Sequence, residues 1–228
     1  MLRMRKKSKI LILCSVLIAA IFALTMVFIT KNNTTVNNDY STLTKFANEN
    51  NYGLTSGNSL IKMHTDIQEF IKGCDLVFIG TIESVDSPKI INPERKKNSN
   101  DNSPPIGLVD LPTKVKVSEV FKGNVRQDEV VNIYQRLGYV FYNTINAYKD
   151  NKEYKEKQVY VFFVTNYNDG YLPCSYKQGQ LLIKDINKSN ININQLEDGY
   201  EISIDRNYFS MFKDKTTLKE LKDALKQK

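Results

Sequence analysis

The sequence predicts a mainly β domain with short flanking helices, preceded by one N-terminal transmembrane helix. Three observations lead to this fold class: an uninterrupted apolar run near the N-terminus, several segments in which apolar and polar residues alternate, and one wholly apolar segment bounded by turn residues. Beyond the first sixty residues, capped helix signals occur in two short segments, one before and one after the strands.

The apolar run covers residues 10–30 and contains no charge, Gly or Pro. As a helix it would be about 31 Å long, which matches the hydrocarbon thickness of a bilayer. The basic cluster in residues 1–9 predicts a cytoplasmic tail and an extracytoplasmic C-terminal part, so the protein is expected at the cell membrane. A cleaved signal peptide is the alternative, but its apolar core would be shorter than this one. We therefore favour a retained anchor.

The net charge of +7 comes mainly from that tail. Residues 31–228 carry 27 basic and 25 acidic residues, because five basic residues and no acidic ones precede them. A nucleic-acid-binding domain needs a strong positive field, and this domain lacks one. Nucleic acid is therefore not an expected partner.

Residues 31–57 are polar and predict a spacer with at most a short helix near residues 41–50. The exported domain is expected to cover residues 58–228, which is the size of one domain. Thr65 and Gln68 form a capping-box pattern before one helix, and Thr217 and Glu220 form another before the last helix.

Alternation and turn residues predict the strands at 76–85, 113–121, 128–136, 158–165, 180–186 and 200–204. The segment 158–165 is apolar on both faces and should be the most buried strand. Residues 119–121 break the alternation of their strand, which indicates a bulge. Pro-rich and charged residues at 87–112 predict a long loop, and residues 137–157 predict an irregular, partly helical insertion.

Three segments resemble netrin-like and metalloproteinase-inhibitor-like domains: CDLVFIGTI at residues 74–82, VKVSEVFKG at residues 115–123, and the apolar strand at residues 159–164. Similar arrangements occur in membrane-anchored proteins of Gram-positive bacteria. The resemblance covers roughly residues 75–185 and implies a five-stranded, partly open OB-like β-barrel. It does not imply protease inhibition, because those inhibitors chelate zinc through a mature N-terminal Cys that this chain does not offer.

The residues offer no predicted catalytic, metal or cofactor site. His64 is the only histidine, and no ligand spacing surrounds it. The acids are scattered, so the sequence selects no pair of carboxylates for hydrolysis. Cys74 and Cys174 lie in the exported part, where disulfides form readily. They are either a disulfide or two unpaired thiols.

OB-like barrels bind ligands on the face of their second and third strands, with neighbouring loops as rims. The resemblance therefore implies a binding surface made by Lys114, Lys116, Asn132, Tyr134, Arg136 and Tyr171. Within this surface Tyr171 would lie on the rim, together with Tyr167 and Tyr176. The alternative is that the tyrosines between residues 134 and 176 only pack strands and cover loops, since Tyr favours strands by propensity alone.

Three functions fit these observations. The first is a membrane-anchored extracytoplasmic binding module for a protein, a peptide or a cell-wall glycan. The second is an envelope hydrolase whose site the sequence does not reveal. The third is an accessory or sensor subunit of a membrane complex, for which the small residues Ser15, Ala19 and Ala23 offer a helix-packing stripe.

Overall fold

The part of the chain that the computed structural model describes consists of residues 40–57, 64, 66–91, 106–148, 153–175, 178–183, 199–202, 204, 209–212 and 215–226. The chain from Tyr40 to Lys228 forms one compact unit. None of the helices in the described ranges is both long enough and apolar enough to cross a membrane. The predicted anchor at residues 10–30 lies outside these ranges.

The described residues form a mainly β fold with three helices, as the alternation predicts. The helices are α1 (Ser41–Glu49), α2 (Ile67–Lys72) and α3 (Leu218–Lys226). The strands are β1 (Gly53–Gly57), β2 (Leu76–Val85), β3 (Lys89–Ile91), β4 (Ile106–Lys122), β5 (Val130–Phe141), β6 (Thr144–Tyr148), β7 (Val159–Tyr167), β8 (Gly170–Pro173), β9 (Gln180–Leu182), β10 (Glu201–Ile202) and β11 (Thr216–Thr217).

Nine of these strands form one mixed sheet, whose pairings close into a circuit. β4 pairs antiparallel with both β2 and β5, β5 pairs parallel with β8, β8 pairs with β7, and β7 pairs with β2. The β5–β8 contact closes the circuit through a single register pair, Ile133 with Tyr171. Gly170 permits this approach, because a Cβ at this position would overlap the carbonyl oxygen of Asn132.

An apolar cluster fills the inside of this circuit with side chains from all the long strands. Phe78 of β2 and Phe162 of β7 stack at its centre, with ring centroids 5.0 Å apart. Tyr154 enters from the segment before β7 and packs edge-on against Phe162. Its backbone N–H donates to the side chain of Gln135, and its hydroxyl donates to the side chain of Gln180. The polar groups of this core are thereby satisfied.

A second apolar cluster covers the other face of β2 and β7. Helices α2 and α3 and the segments around β10 and β11 supply its outer layer, with Phe70 and Phe209 packed against Phe163. The six residues of β7 from 159 to 164 are consequently all buried. A strand covered on both faces needs a continuous apolar run, so the predicted position of the most buried strand is confirmed.

A third apolar cluster forms where β4 and β5 extend beyond the circuit and β5 pairs with β6. Helix α1 covers this extension with Leu43 and Ala47. The buried carboxylate of Glu153 accepts hydrogen bonds from the backbone N–H groups of Thr42 and Leu43, at 2.9 and 2.7 Å. A carboxylate at this place satisfies donors that the first turn of a helix leaves unpaired.

The structure confirms the predicted helix near residues 41–50 and the predicted strands at 76–85 and 158–165. The bulge at residues 119–121 is confirmed, because the β2–β4 register shifts there and turns Phe121 toward the second cluster. The capping box of the last helix is also confirmed: Thr217 Oγ1 accepts from the backbone N–H of Glu220, and the Glu220 carboxylate accepts from that of Thr217.

Three predictions were wrong in part. The predicted loop at residues 87–112 contains β3 and the first seven residues of β4, because extended Pro112 is accommodated within the sheet. The predicted insertion at residues 137–157 contains the end of β5 and all of β6. Buried and half-buried residues alternate along β6, because α1 covers one of its faces. The side-chain cap of α2 is Asp66, which accepts from Gln68 and Glu69; Thr65 lies outside the described residues.

The predicted boundary between spacer and domain also differs from the structure. Helix α1 and strand β1 belong to the compact unit that begins at Tyr40, whereas the sequence placed its start at residue 58. β1 is a Gly-rich strand that pairs parallel with β6. Its Gly, Thr and Ser residues lack the apolar alternation by which a strand is recognised.

Candidate functional site

Strands β4 and β5 present one common outward side, here called the β4–β5 outer face. In an antiparallel pair, residues at the same register point to the same side of the sheet. Four register pairs therefore form this face: Asp110 with Arg136, Pro112 with Tyr134, Lys114 with Asn132, and Lys116 with Val130. Five of the six predicted binding residues, all but Tyr171, are thus brought together.

One half of this face is closed by a polar network centred on Asp110. The Asp110 side chain is 0% exposed and accepts hydrogen bonds from Arg136 Nε at 2.9 Å and from the Tyr167 hydroxyl at 2.8 Å. The Arg136 guanidinium also lies 5.4 Å from the centroid of the Tyr167 ring, in cation–π geometry. Burial lowers the pKa of Arg136, but Asp110 outweighs this effect and the net shift is upward.

Tyr134 belongs to the same closed half. Its side chain is only 8% exposed and packs edge-on against the ring of Tyr167 at 5.5 Å. Its hydroxyl donates to the carboxylate of Asp169 in the β7–β8 turn. That hydrogen bond, together with burial, raises the pKa of Tyr134 to about 12. Tyr134 was predicted as a binding residue, but its burial favours the alternative, in which the tyrosines pack strands, and Tyr160 is buried as well.

The other half of the face is open. Lys114 and Lys116 are exposed, and Asn132 is half-buried beside Lys114. Lys116 Nζ forms an ion pair with Asp128 at 3.0 Å, in which both side chains remain largely exposed to water. Lys114 forms no ion pair within the described part of the chain. A half-buried amide and two exposed cations therefore lie next to a hydrogen-bonded polar network.

Tyr171 and Tyr176 do not join this surface. Tyr171 shares its register with Ile133, so its ring packs on the apolar cluster inside the strand circuit. The sequence placed it on the rim because the parallel pairing of β8 was not foreseen. Tyr176 lies outside the described residues, whereas Tyr167 lies where the prediction put it.

His64 has a structural environment. Its backbone N–H donates to the side chain of Gln178 at 2.8 Å, and its ring packs 5.1 Å from that of Phe70. Glu119, one of the scattered acids, binds Lys222 and Lys226 and so ties α3 to β4. Within the described ranges, no group of three or more His, Cys, Asp or Glu residues is arranged to hold a metal ion.

The two exported cysteines are neighbours. Both are free in the structure, and their side chains lie close enough for each to shift the pKa of the other. Cys74 is buried and Cys174 is half-buried, and both pack against the second apolar cluster. Sequence alone left a disulfide and two separate thiols equally open. The observed proximity favours the disulfide.

Sequence reasoning missed Asp110 and Asp169, the two carboxylates that hold the closed half together. Asp110 fell inside the predicted loop at residues 87–112, where a charge is expected to be solvated. Its flanking residues, Val109 and Leu111, were the available signal, because a charge between two apolar residues fits a strand with one buried face. Its partner Arg136 depends on the register, which the sequence does not show.

Comparisons of the chain with protein-family models, with curated proteins and with solved structures find no match.

Proposed function

We propose that the chain is a membrane-anchored extracytoplasmic binding module whose ligand is a protein, a peptide or a cell-wall glycan. In this proposal residues 10–30 hold the chain in the membrane, and the β domain is an OB-like barrel related to netrin-like domains. The observation that carries the binding role is the β4–β5 outer face, where exposed cations adjoin a preorganised polar network.

The strand pairings support the OB-like barrel. Counting only the strands of the closed circuit, β2, β4, β5, β7 and β8 are the first to the fifth. They pair in the order first, second, third, fifth, fourth and back to the first. A five-stranded closed sheet with this crossed order has the Greek-key character of an OB fold. Its second and third strands are then β4 and β5, which are the strands that bind ligands in such folds.

The chemistry of the face supports a ligand that carries anionic groups. Lys114 and Lys116 offer ammonium donors to carboxylates or phosphates, and the Asn132 amide can donate beside them. The network of Asp110, Arg136 and Tyr167 holds the adjacent backbone in one arrangement. A rigid surface loses less conformational entropy when it binds, so more of the contact energy appears as affinity.

A binding assay tests the ligand class. The full chain in detergent is sedimented with protein-free cell-wall sacculi, and we expect the parent chain to sediment with them. Lys114→Glu combined with Lys116→Glu should reduce the bound fraction at least about fivefold, because two attractive charges become repulsive. Lys215→Glu is the matched control, since Lys215 also forms an exposed ion pair, with Glu201 at 3.1 Å, away from this face.

If the parent chain does not sediment with sacculi, a cell-wall glycan is excluded as the ligand, and a protein or a peptide remains. A second experiment then tests for a protein or peptide ligand. A photo-crosslinking residue is placed at position 114 or at position 215, and the crosslinks formed in intact membranes are compared. Crosslinks that form at 114 and disappear in the Lys116→Glu variant support the proposal. Equal crosslinking at both positions, or none, would remove the binding role of this face.

The anchor has its own test. Protease added to intact spheroplasts should digest the β domain and leave the basic N-terminal tail protected. A mature chain that begins near Met26 and appears in the medium would overturn the retained anchor while leaving the binding assay untouched.

A further inference from the structure

The two cysteines flank the closed strand circuit. Cys74 lies two residues before the first residue of β2, and Cys174 follows the last residue of β8 directly. Every strand of the circuit therefore lies in the chain between them. They are 100 positions apart in the sequence, yet both pack against the second apolar cluster, close enough for each to shift the pKa of the other.

The backbone around both cysteines is fixed to neighbouring residues of β7. The N–H of Cys174 donates to the carbonyl of Phe163 at 2.9 Å, and the N–H of Asp75 donates to the carbonyl of Val164 at 2.9 Å. The Asp75 carboxylate accepts two further hydrogen bonds from Thr165 and Asn166. These hydrogen bonds anchor Cys174, and the residue after Cys74, at adjacent positions of β7.

The two thiols differ in environment. Cys74 is 2% exposed, and its Sγ lies 3.2 Å from the carbonyl oxygen of Phe70. Cys174 is half-buried and therefore open to a reagent. The contact with Cys174 and burial both raise the pKa of Cys74, whereas the hydrogen bond from Cys74 lowers the pKa of Cys174. The Lys122 ammonium, which donates to the carbonyl of Cys74 at 2.5 Å, favours the thiolate form of both.

We propose that Cys74 and Cys174 form an intrachain disulfide, in which Cys174 reacts first with an external disulfide and Cys74 then closes the bond. Only the supply of oxidant in the cell rests on the proposed extracytoplasmic location. The contact and the difference in exposure are properties of the fold itself.

The chemistry is thiol–disulfide exchange in two steps. The Cys174 thiolate attacks one sulfur of a low-molecular-weight or protein disulfide, and one thiolate of that reagent leaves. The Cys74 thiolate then attacks Sγ of Cys174, and the second thiolate of the reagent leaves. The two cysteines lose two electrons to the reagent, and their two protons end on the released thiols. The product links the start of β2 to the end of β8.

The order of reaction can be tested on the purified full chain in a Cys14→Ala background, which removes the third cysteine. The reduced chain is exposed to glutathione disulfide, and free thiols are counted at intervals by maleimide labelling and mass spectrometry. The parent chain should lose both thiols together, become lighter by two hydrogens and retain no glutathione. Peptide mapping of this product should show the segments around residues 74 and 174 linked, which tests the bridge without any further variant.

Single variants separate the two roles. Cys74→Ala should accumulate a mixed disulfide at Cys174. Cys174→Ala should be modified at Cys74 at a rate at least about tenfold lower, because this thiol is buried. Equal rates of modification in the two variants would overturn the proposed order. Two thiols that persist in the oxidised parent, or two mixed disulfides on it, would overturn the bridge.

The same count in cells separates this inference from the proposed function. Cells that produce the full chain are quenched with acid and maleimide, and we expect no free thiol at positions 74 and 174. A bridge that forms in the purified chain but is absent in cells would uphold the disulfide geometry and contradict the extracytoplasmic location. A bridge in both would support both.

Discussion

Strand β7 and the β4–β5 outer face belong to the same sheet, but they are buried by different means. Six consecutive residues of β7 are buried because apolar layers cover both of its sides. On the outer face, Tyr134 and Arg136 are held by polar partners instead. The Tyr134 hydroxyl donates to Asp169, and the Arg136 guanidinium donates to Asp110. The burial of β7 is thus stabilised by the apolar surface area removed from water. The closed half of the outer face is stabilised by a few directional hydrogen bonds.

This difference fits the recognition role that is proposed for the outer face. An apolar layer is non-directional and tolerates small shifts, and it leaves no group available for a ligand. A hydrogen-bonded network fixes side chains in one geometry, and its edge can pass directly into an exposed surface such as that around Lys114. The outer face is therefore suited to recognition, and β7 to stability.

The largest expected effect is in β7. Phe162→Ala should lower the free energy of unfolding by about 3–5 kcal/mol, because a fully buried ring is removed from its stack on Phe78. Urea unfolding of the full chain, followed by circular dichroism, measures this loss. Phe141→Ala is the control, since Phe141 is 41% exposed, and should change the free energy by less than about 1 kcal/mol. Equal losses would contradict the difference in burial.

The next effect is in the closed half of the outer face. Asp110→Ala should cost about 2–4 kcal/mol, because it leaves the half-buried Arg136 guanidinium without its carboxylate. Replacing both residues, as Asp110→Ala with Arg136→Met, should recover part of that loss. The exposed pair of Lys116 and Asp128 is the control and should show a coupling of about 0–1 kcal/mol in the same double-mutant cycle. If the coupling between Asp110 and Arg136 is also only about 0–1 kcal/mol, their buried ion pair contributes no more stability than the exposed one.

The contrast between these regions also explains how far the sequence could predict the fold. The apolar run at residues 158–165 predicts a strand that is covered on both faces, and the structure confirms this prediction. Residues 122–124, Lys-Gly-Asn, are a local hairpin signal of the same kind, and Gly123 adopts a positive φ of 104° after β4. Local signals of this kind depend on a few adjacent residues.

The candidate site could be predicted only in part, because a polar residue has two interpretations that local sequence does not separate. Lys114 and Arg136 were both placed on the outward side, and the structure confirms this side for both. Whether each is exposed depends on the register with a distant strand, since Arg136 is covered only because Asp110 lies opposite. The parallel pairing of β8, which turns Tyr171 inward, likewise depends on how the sheet closes.

A smaller effect is expected from titration in the closed half. The pKa of Tyr134 is raised to about 12 by its hydrogen bond to Asp169. A group whose pKa is raised on folding stabilises the fold fully below its unfolded value of about 10, and that contribution is lost as the pH rises through about 12. Tyr134→Phe should therefore flatten the decline in stability between pH 10 and pH 12. Asp169→Asn should flatten it too, since it removes the negative charge that disfavours the Tyr134 phenolate, and an unchanged slope in both variants would exclude the interaction.

The smallest effect on stability is expected at the open half, where Lys114→Glu should change the free energy of unfolding by no more than about 0.5 kcal/mol. Lys114 is exposed and forms no ion pair within the described residues, so its replacement breaks no contact of the fold. Urea unfolding of the parent and the variant measures this difference, with Phe162→Ala as the positive reference. A loss above about 1 kcal/mol would mean that Lys114 has a structural partner. If the variant keeps its stability but loses its ligand, the substitution acts on binding alone. Binding and stability then depend on different residues of the same sheet.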